Sequence, residues 1–251
     1  VAQKKGYAEA DPTNDVAGYD AARKLAILAS IGFHANVTFD DVLVEGIEKI
    51  SQNDVQYASE MGYTIKLLAV AIRQENGIAL NVYPAFVPRS HPLASVKGSY
   101  NAIYVTGNIV DDVMFYGKGA GSLPTASAVM GDVISTAKHI LNHSTGTGMM
   151  LTETKRIPFY SSLKLENSYY FRLIVDDVTG VLSQIASAYA DNDISIKEVV
   201  QKSRIEDAAE LMIITEKTPR ENIIHVEKAL QVLPCMRQVA NVVRVMEDDR
   251  K

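Results

Sequence analysis

The stretch that decides the fold is YYFRLIVDDVTGVLSQIASAYADNDISI, residues 169–196. Its first seven residues are an apolar run rich in aromatic and branched side chains, which predicts a β-strand over 169–175. Apolar side chains then recur at helical spacing and predict an amphipathic helix over 180–190. A second strand is predicted over 194–200.

The residues that follow complete a repeating order of elements. Strands are predicted over 210–215 and 239–245. Between them, TPRE at 218–221 has the form of a capping box with proline at the first helical position, and it opens a helix that runs to about residue 233. The order is βαββαβ, which indicates a ferredoxin-like unit.

The region before residue 144 mixes both kinds of element. Helical spacing of apolar residues predicts helices, the first with Asn14 or Asp15 as its cap, and apolar runs between turns predict strands. The predicted helices cover 16–31 and 51–61, and the predicted strands cover 65–72, 78–87, 102–106 and 110–116. We therefore expect an α/β (α+β) chain, with a mixed sheet that carries helices on one face before the ferredoxin-like unit.

Glycine-rich and polar segments divide the chain. GKGAGSLP at 117–124 precedes a predicted helix over 125–143, and a polar, irregular stretch follows it. We predict a first region at 1–145, a linker at 146–165 and a C-terminal domain at 166–251.

Composition excludes several classes of function. The 251 residues carry a net charge of −5 without a marked run of Lys or Arg, so the usual electrostatic footprint of nucleic-acid binding is lacking. No apolar stretch reaches the roughly 18 residues that span a bilayer, and no signal peptide is recognised. The single cysteine, Cys235, excludes an internal disulfide and fits a reducing, cytoplasmic compartment. The chain begins at Val1 rather than Met, which suggests a fragment or a processed product.

The segment GYAEADPTNDVAGYDAARK, residues 6–24, holds the leading candidate for chemistry. A short polar turn runs into a helix that carries Lys24. The carboxylates of this segment are Glu9, Asp11, Asp15 and Asp20. Asp20 and Lys24 are four residues apart, so on a helix they share one face and can pair. A carboxylate cluster beside one amine suits a small cationic substrate whose proton must be moved, whereas the alternative is a solvated surface ion pair.

The glycines of residues 117–124 allow two interpretations. Gly119 and Gly121 precede a helix, where backbone N–H groups can face an anion. The spacing is G-x-G-x-G rather than the dinucleotide fingerprint G-x-G-x-x-G. The segment is therefore a glycine-lined wall beside a cofactor, or a tight turn between a strand and a helix.

A second candidate binding site lies at the start of the predicted helix over 180–190. Asp177 and Gly180 join the first strand to this helix, whose free N–H groups could receive a ligand carboxylate, and Asn192 lies in the turn after it. The alternative is an ordinary turn between strand and helix. No metal site is predicted, because His139 and His143 lack the glutamate of an HExxH motif.

Three segments resemble homoserine dehydrogenases. The segment GYAEADPTNDVAGYDAARKLAIL resembles that family's signature, and GKGAGSLPTASAVMGDV resembles its second characteristic segment. The segment YYFRLIVDDVTGVLSQIA, with NDISI downstream, resembles an ACT domain, the regulatory module of many bacterial members. The resemblance covers nearly all of the chain, but the family's N-terminal Rossmann domain has no counterpart in it. The chain is therefore similar to the C-terminal part: a substrate-binding and dimerisation region, a helix that returns to the nucleotide domain, and an ACT domain.

The resemblance also implies roles for individual residues. Lys24 matches the catalytic proton donor and acceptor, and Asp20 the carboxylate that orients it. Glu9 matches the homoserine-binding position, and Tyr7 and Asp15 match further substrate contacts. The implied cofactor contacts are Gly119 and Gly121, and the implied regulatory ligand contacts are Asp177, Gly180 and Asn192.

The family implies an NAD- or NADP-dependent interconversion of L-homoserine and L-aspartate 4-semialdehyde in threonine, methionine and isoleucine synthesis. It further implies that most cofactor contacts come from the N-terminal domain, that L-threonine is a candidate ACT ligand, and that the protein is a homodimer or homotetramer. On this interpretation the chain alone is expected to be inactive. The alternative is a non-catalytic regulatory or dimerisation fragment that binds an amino acid.

Overall fold

The computed structural model describes residues 11–144, 156–205 and 207–247. The described helices are α1 (Thr13–Val16), α2 (Tyr19–Phe33), α3 (Gln52–Glu60), α4 (Ser122–Leu141), α5 (Val181–Ala190) and α6 (Arg220–Gln231). The described strands are β1 (Leu43–Val44), β2 (Tyr63–Gln74), β3 (Gly77–Pro88), β4 (Tyr100–Gly107), β5 (Asp111–Lys118), β6 (Glu166–Asp176), β7 (Ile196–Ile205), β8 (Ala208–Thr215), β9 (Thr218–Pro219) and β10 (Met236–Val245).

The described residues form two compact units. One contains residues 11–12 and 95–144, and the other contains residues 13–94 together with the described part of 156–247. The division at 1–145, 146–165 and 166–251 that the sequence predicts stays a prediction. Strands from both sides of that linker nevertheless share one sheet within the second unit.

Strand β3 connects the two parts of the sheet in the second unit. One edge of β3 pairs antiparallel with the whole of β2. The other edge pairs parallel with β1 at Asn81 and with β10 at Ala85. From β10 the sheet continues through β6 and β8 to β7, so eight strands, with β9 beside β6, form one sheet.

The predicted ferredoxin-like unit is confirmed by the order β10-β6-β8-β7, in which every neighbouring pair is antiparallel. Helices α5 and α6 pack on one face of this sheet, because alternate residues of β6 and β8 are large and apolar. The buried residues of β6 and β8 on this face are Tyr169, Phe171, Leu173, Val175, Ala209, Leu211 and Ile213.

Helices α2 and α3 pack on the same face of β3, as the prediction of helices on one face requires. Ile78, Leu80 and Val82 contact the apolar side of α2, and Phe86 contacts the cluster that contains Tyr57 of α3. Cys235 is buried in the core under α5 and α6.

The first unit contains a separate β-hairpin and a long helix. Strands β4 and β5 pair in register from Tyr100 opposite Lys118 to Gly107 opposite Asp111. The 20 residues of α4 include none that is buried, and their large apolar side chains are exposed.

Two predicted helix starts are wrong. The predicted helix over 16–31 is interrupted, since α1 ends at Val16 and α2 begins at Tyr19, and Gly18 rather than Asn14 or Asp15 precedes it as the cap. Gly18 has φ of 83°, a left-handed conformation that no helix interior can hold. The predicted capping box at 218–221 does not form either, because Thr218 and Pro219 pair with β6, and the Thr218 hydroxyl has no hydrogen-bond partner among the described residues.

The segment predicted as a linker contains ordered contacts in its described part. Phe159 bridges to Ile78 in parallel, and residues Ser162–Lys164 form a 3-10 turn. Strand β1, with only two residues, was not predicted, because so short a strand has no period of its own to recognise.

Candidate functional site

The start of α2 is held by close contact between two backbone segments. Ile47 donates its backbone N–H to the carbonyl of Val16 at 2.9 Å. A Cβ atom on Gly46 would lie 2.5 Å from that same carbonyl oxygen, so only glycine allows the two chains to approach this closely. The turn before α2 is therefore fixed on the segment that follows β1.

Asp20 and Lys24 form the predicted ion pair on α2. The Lys24 Nζ lies 2.6 Å from Asp20 Oδ2, and the two side chains are 64% and 45% exposed. The opposite side of the helix is buried through Ala22 and Leu25. The Lys24 amine is therefore exposed to solvent, and the Asp20 carboxylate sets its direction.

Groups near the same turn are oriented by contacts with α2. Arg23 donates from Nη1 to Asn14 Oδ1 at 3.1 Å, and its guanidinium lies 5.4 Å from the centre of the Phe39 ring. Tyr19 meets that ring edge to face at 6.0 Å. Asp15 is exposed on α1. The predicted substrate contacts Tyr7 and Glu9 lie outside the described residues.

The predicted cofactor glycines belong to the first unit. Gly119 donates its backbone N–H to the Ser99 carbonyl at 3.1 Å, and Gly121 is the residue before α4. The first turn of α4 has no acidic residue, so its free N–H groups are electrostatically suited to an anion.

A cleft of about 160 Å³ lies where β6 passes into α5. Asp177 and Gly180 line it, as do Ser183 and Gln201. Asn192 is not among the lining residues, since its side-chain amide donates to the Ala188 carbonyl at 2.7 Å and so caps the end of α5. The cleft thus combines the start of a helix with polar side chains and an apolar floor.

A buried polar network under α3 was not predicted. Asp54, which is fully buried, accepts from Arg172 Nε at 2.7 Å and from Asn241 Nδ2 at 2.8 Å. Arg172 also donates to Glu210 Oε1 at 3.1 Å, and Tyr57 donates its hydroxyl to the other oxygen of that carboxylate. Burial and then the Glu210 carboxylate raise the pKa of Tyr57 to about 12, so its hydroxyl remains a donor at neutral pH.

A second unpredicted network centres on Glu45, directly after β1. Both of its oxygens accept from Arg244, at 2.9 and 3.2 Å, and Oε1 lies 2.5 Å from Arg220 Nη2. Burial raises the pKa of Glu45, but the Arg244 hydrogen bonds and the charges of Arg244 and Arg220 outweigh it and hold the pKa below its usual range. The carboxylate is therefore ionised at neutral pH.

The sequence did contain a signal for these networks. Arg172, Glu210 and Arg244 each stand alone within a strongly apolar strand run. A charge in such a run is costly unless it is paired. The partners could not be named from sequence, because Asp54 is 118 residues from Arg172 and Glu45 is 199 residues from Arg244.

Two further classes of site are absent from the described part of the chain. Within residues 11–144, 156–205 and 207–247, no three His, Cys, Asp or Glu side chains group in a way that could hold a metal ion. Among the helices described there, none has the length and apolarity to span a membrane.

The fold and the site together define a class: a protein that joins a mixed-sheet region with a lysine–carboxylate pair to a ferredoxin-like unit. The family model for homoserine dehydrogenase matches residues 1–134, more than half of the chain. The chain therefore belongs to the homoserine dehydrogenase family.

Individual relatives agree along nearly the whole chain. It is 40% identical to the homoserine dehydrogenase of Corynebacterium glutamicum and 36% identical to that of Bacillus subtilis. The alignments cover 98% and 97% of this chain but only 56% and 57% of those proteins, so the chain spans little more than half of its relatives' length.

Solved structures give the same result. The crystal structure of a homoserine dehydrogenase from Thiobacillus denitrificans matches with a TM-score of 0.89 and 35% identity, over 98% of this chain and 57% of that one. A Staphylococcus aureus homoserine dehydrogenase matches with a TM-score of 0.69 and 30% identity, over 98% and 57% of the two chains.

Proposed function

We propose that the full-length protein is a homoserine dehydrogenase. It would interconvert L-homoserine and L-aspartate 4-semialdehyde with NADP or NAD, in the cytoplasmic synthesis of threonine, methionine and isoleucine. The observation that carries the proposal is the accessible Lys24–Asp20 pair, at 2.6 Å, on a helix within the residues that the family model matches.

Lys24 is the proton donor and acceptor in this proposal. In the oxidation, its neutral amine takes the proton of the homoserine hydroxyl as the carbonyl forms. In the reduction, its ammonium group returns a proton to the oxygen of the forming alkoxide, and its charge stabilises that oxygen. Asp20 holds the Nζ atom in place, which fixes where the proton is transferred.

The substrate's own charges would be met by the acidic turn before α2. By the family match, Glu9 binds homoserine, and Tyr7 and Asp15 add contacts. A substrate ammonium group would relieve the mutual repulsion of these carboxylates, which is a reason for their concentration at one turn.

The cofactor requires groups beyond those of this chain. When bound, a nicotinamide cofactor accepts or supplies the hydride of the reaction. The loop at Gly119 and Gly121 and the acid-free first turn of α4 fit a contact with such an anionic molecule. The other contacts are assigned to an N-terminal nucleotide-binding domain, and the exposed apolar side chains of α4 are consistent with packing against it.

The remaining assignments follow the family match. Residues 1–145 form the substrate-binding and dimerisation region with the return helix, 146–165 the linker, and 166–251 an ACT regulatory domain in a homodimer or homotetramer. The cleft at Asp177 and Gly180 is the proposed place for L-threonine, whereas Asn192, the third contact that the family match implies, lies at the other end of α5 and does not line the cleft.

The test compares reading frames and single variants. The protein encoded by the reading frame extended upstream of Val1 is expected to form NADPH or NADH in the presence of L-homoserine, and the 251-residue chain alone is not. In the extended protein, Lys24→Ala should lower kcat by about 10²–10⁴-fold. Lys202→Ala, which removes another exposed lysine from an ion pair, should leave kcat unchanged. Equal activity of the two variants would remove Lys24 from the mechanism.

The second candidate is a non-catalytic regulatory protein that binds an amino acid. The cleft beside α5 favours it, because this cleft does not depend on the lysine site. No homoserine-dependent activity in the extended protein, combined with saturable heat on titration of L-threonine, would select this candidate. Turnover with homoserine would reject it.

A further inference from the structure

We infer that Glu45 is a positioning residue, through which the two arginines of the ferredoxin-like half fix the start of helix α2. The inference rests on the proposed function only in so far as α2 carries the reactive lysine. Its basis is a continuous set of short contacts from Arg244 to Gly18.

The first step is the binding of the Glu45 carboxylate by two arginines. Arg244 lies in β10, its side chain is 6% exposed, and its guanidinium stands 4.1 Å from the centre of the Tyr83 ring. The two parallel hydrogen bonds to Glu45 use the planar fork of the arginine, which fixes both the distance and the direction of the carboxylate. Arg220, in the first turn of α6, places a second cation beside Oε1 of the same carboxylate.

The second step fixes the backbone next to this carboxylate. The Glu45 N–H donates to the Val82 carbonyl at 2.7 Å, which ties the residue to β3. The next residues, Gly46 and Ile47, touch the turn before α2 through the bond from Ile47 to Val16. A shift of Glu45 therefore shifts the surface on which that turn rests.

The third step leads into the helix that carries Lys24. Gly18 closes the turn and accepts from the Ala22 N–H at 3.0 Å, the first helical bond of α2. A Cβ on Gly18 would lie 3.0 Å from Val82 Cγ1, so the turn has no free space toward the sheet. Asp20 lies one helical turn before Lys24, and the position of both side chains depends on where and in which direction α2 begins.

Hydrogen exchange tests the inference without reference to activity. In the full-length protein, Glu45→Gln should speed amide exchange at Ile47 and Ala22 by at least about tenfold, since hydrogen bonds between charged groups contribute more than neutral ones. Glu60→Gln is the matched control. The Glu60–Lys202 ion pair likewise joins the preceding half of the chain to the ferredoxin-like strands, but it does not touch the turn before α2. Equal exchange in the two variants would overturn the inference.

Kinetics distinguish positioning from general destabilisation. Glu45→Gln should lower kcat for homoserine while KM changes little, and Glu45→Asp, which keeps the charge, should restore part of the loss. A protein without homoserine turnover that still shows faster exchange at Ile47 would refute the proposed function and support the positioning role. Normal turnover in Glu45→Gln with unchanged exchange would refute the positioning role alone.

Discussion

Replacement of Asp54 by alanine tests the buried network under α3. Asp54 has no exposed surface and accepts from Arg172, Asn241 and the backbone and hydroxyl of Ser51. Its removal leaves the buried Arg172 guanidinium with Glu210 and Ser51 as its only partners in the part of the chain that the structure describes. Breaking a buried ion pair on one side costs about 3–5 kcal/mol.

This cost is large enough for a simple measurement. With a urea m value of about 2–3 kcal/mol/M, the unfolding midpoint of Asp54→Ala should fall by about 1–2.5 M, as followed by far-UV circular dichroism. Glu60→Ala is the control on the same helix, since Glu60 pairs with Lys202 at the surface, and its midpoint should stay at the wild-type value.

A third variant separates charge from shape. Asp54→Asn keeps an oxygen for Ser51 and fills the same space, but it cannot neutralise Arg172. Its midpoint should lie between the wild type and Asp54→Ala. If Asp54→Ala unfolds at the same urea concentration as Glu60→Ala, then the network does not stabilise the packing of α3 and the reasoning is refuted.

Two further substitutions test local features. Burial raises the pKa of Glu227, so its ionised form opposes folding above that pKa. Glu227→Gln should therefore raise the urea midpoint at pH 8, and this gain should shrink toward pH 4.5. An equal gain at both pH values would contradict this origin. Gly18→Ala should cost at least about 1–2 kcal/mol, since its φ is 83° and Val82 blocks the new methyl group, while Gly32→Ala in open space on α2 should stabilise by roughly 0.5–1 kcal/mol; a loss in both would refute the conformational argument.

The sequence predicted the elements whose signal is local. Strands β2 and β3 are confirmed, with limits within about two residues of those predicted, because their apolar runs and the short turn that joins them are adjacent in the chain. The βαββαβ order is confirmed for the same reason, since each strand and helix of that unit has its own period.

The candidate site was predictable only in part. Asp20 and Lys24 pair as predicted, because a separation of four residues on a helix fixes their geometry. The break at Gly18 was missed, since a single glycine within a helical pattern is tolerated and apolar spacing does not reveal its left-handed φ of 83°. The roles of Tyr7 and Glu9 stay predictions.

Ion pairs between residues that are distant in sequence hold the register of the sheet that the two halves of the chain share. Apolar strands alone tolerate a shift of two residues, since such a shift returns every side chain to its original face. In this sheet, a shift of that size would separate Arg172 from Asp54 and Arg244 from Glu45, leaving buried charges unpaired at a cost of several kcal/mol each. Each arginine belongs to the ferredoxin-like half and each carboxylate to the preceding half. The charges therefore fix the register between the ferredoxin-like strands and the preceding segments at Glu45 and Asp54, which general hydrophobic packing would leave open.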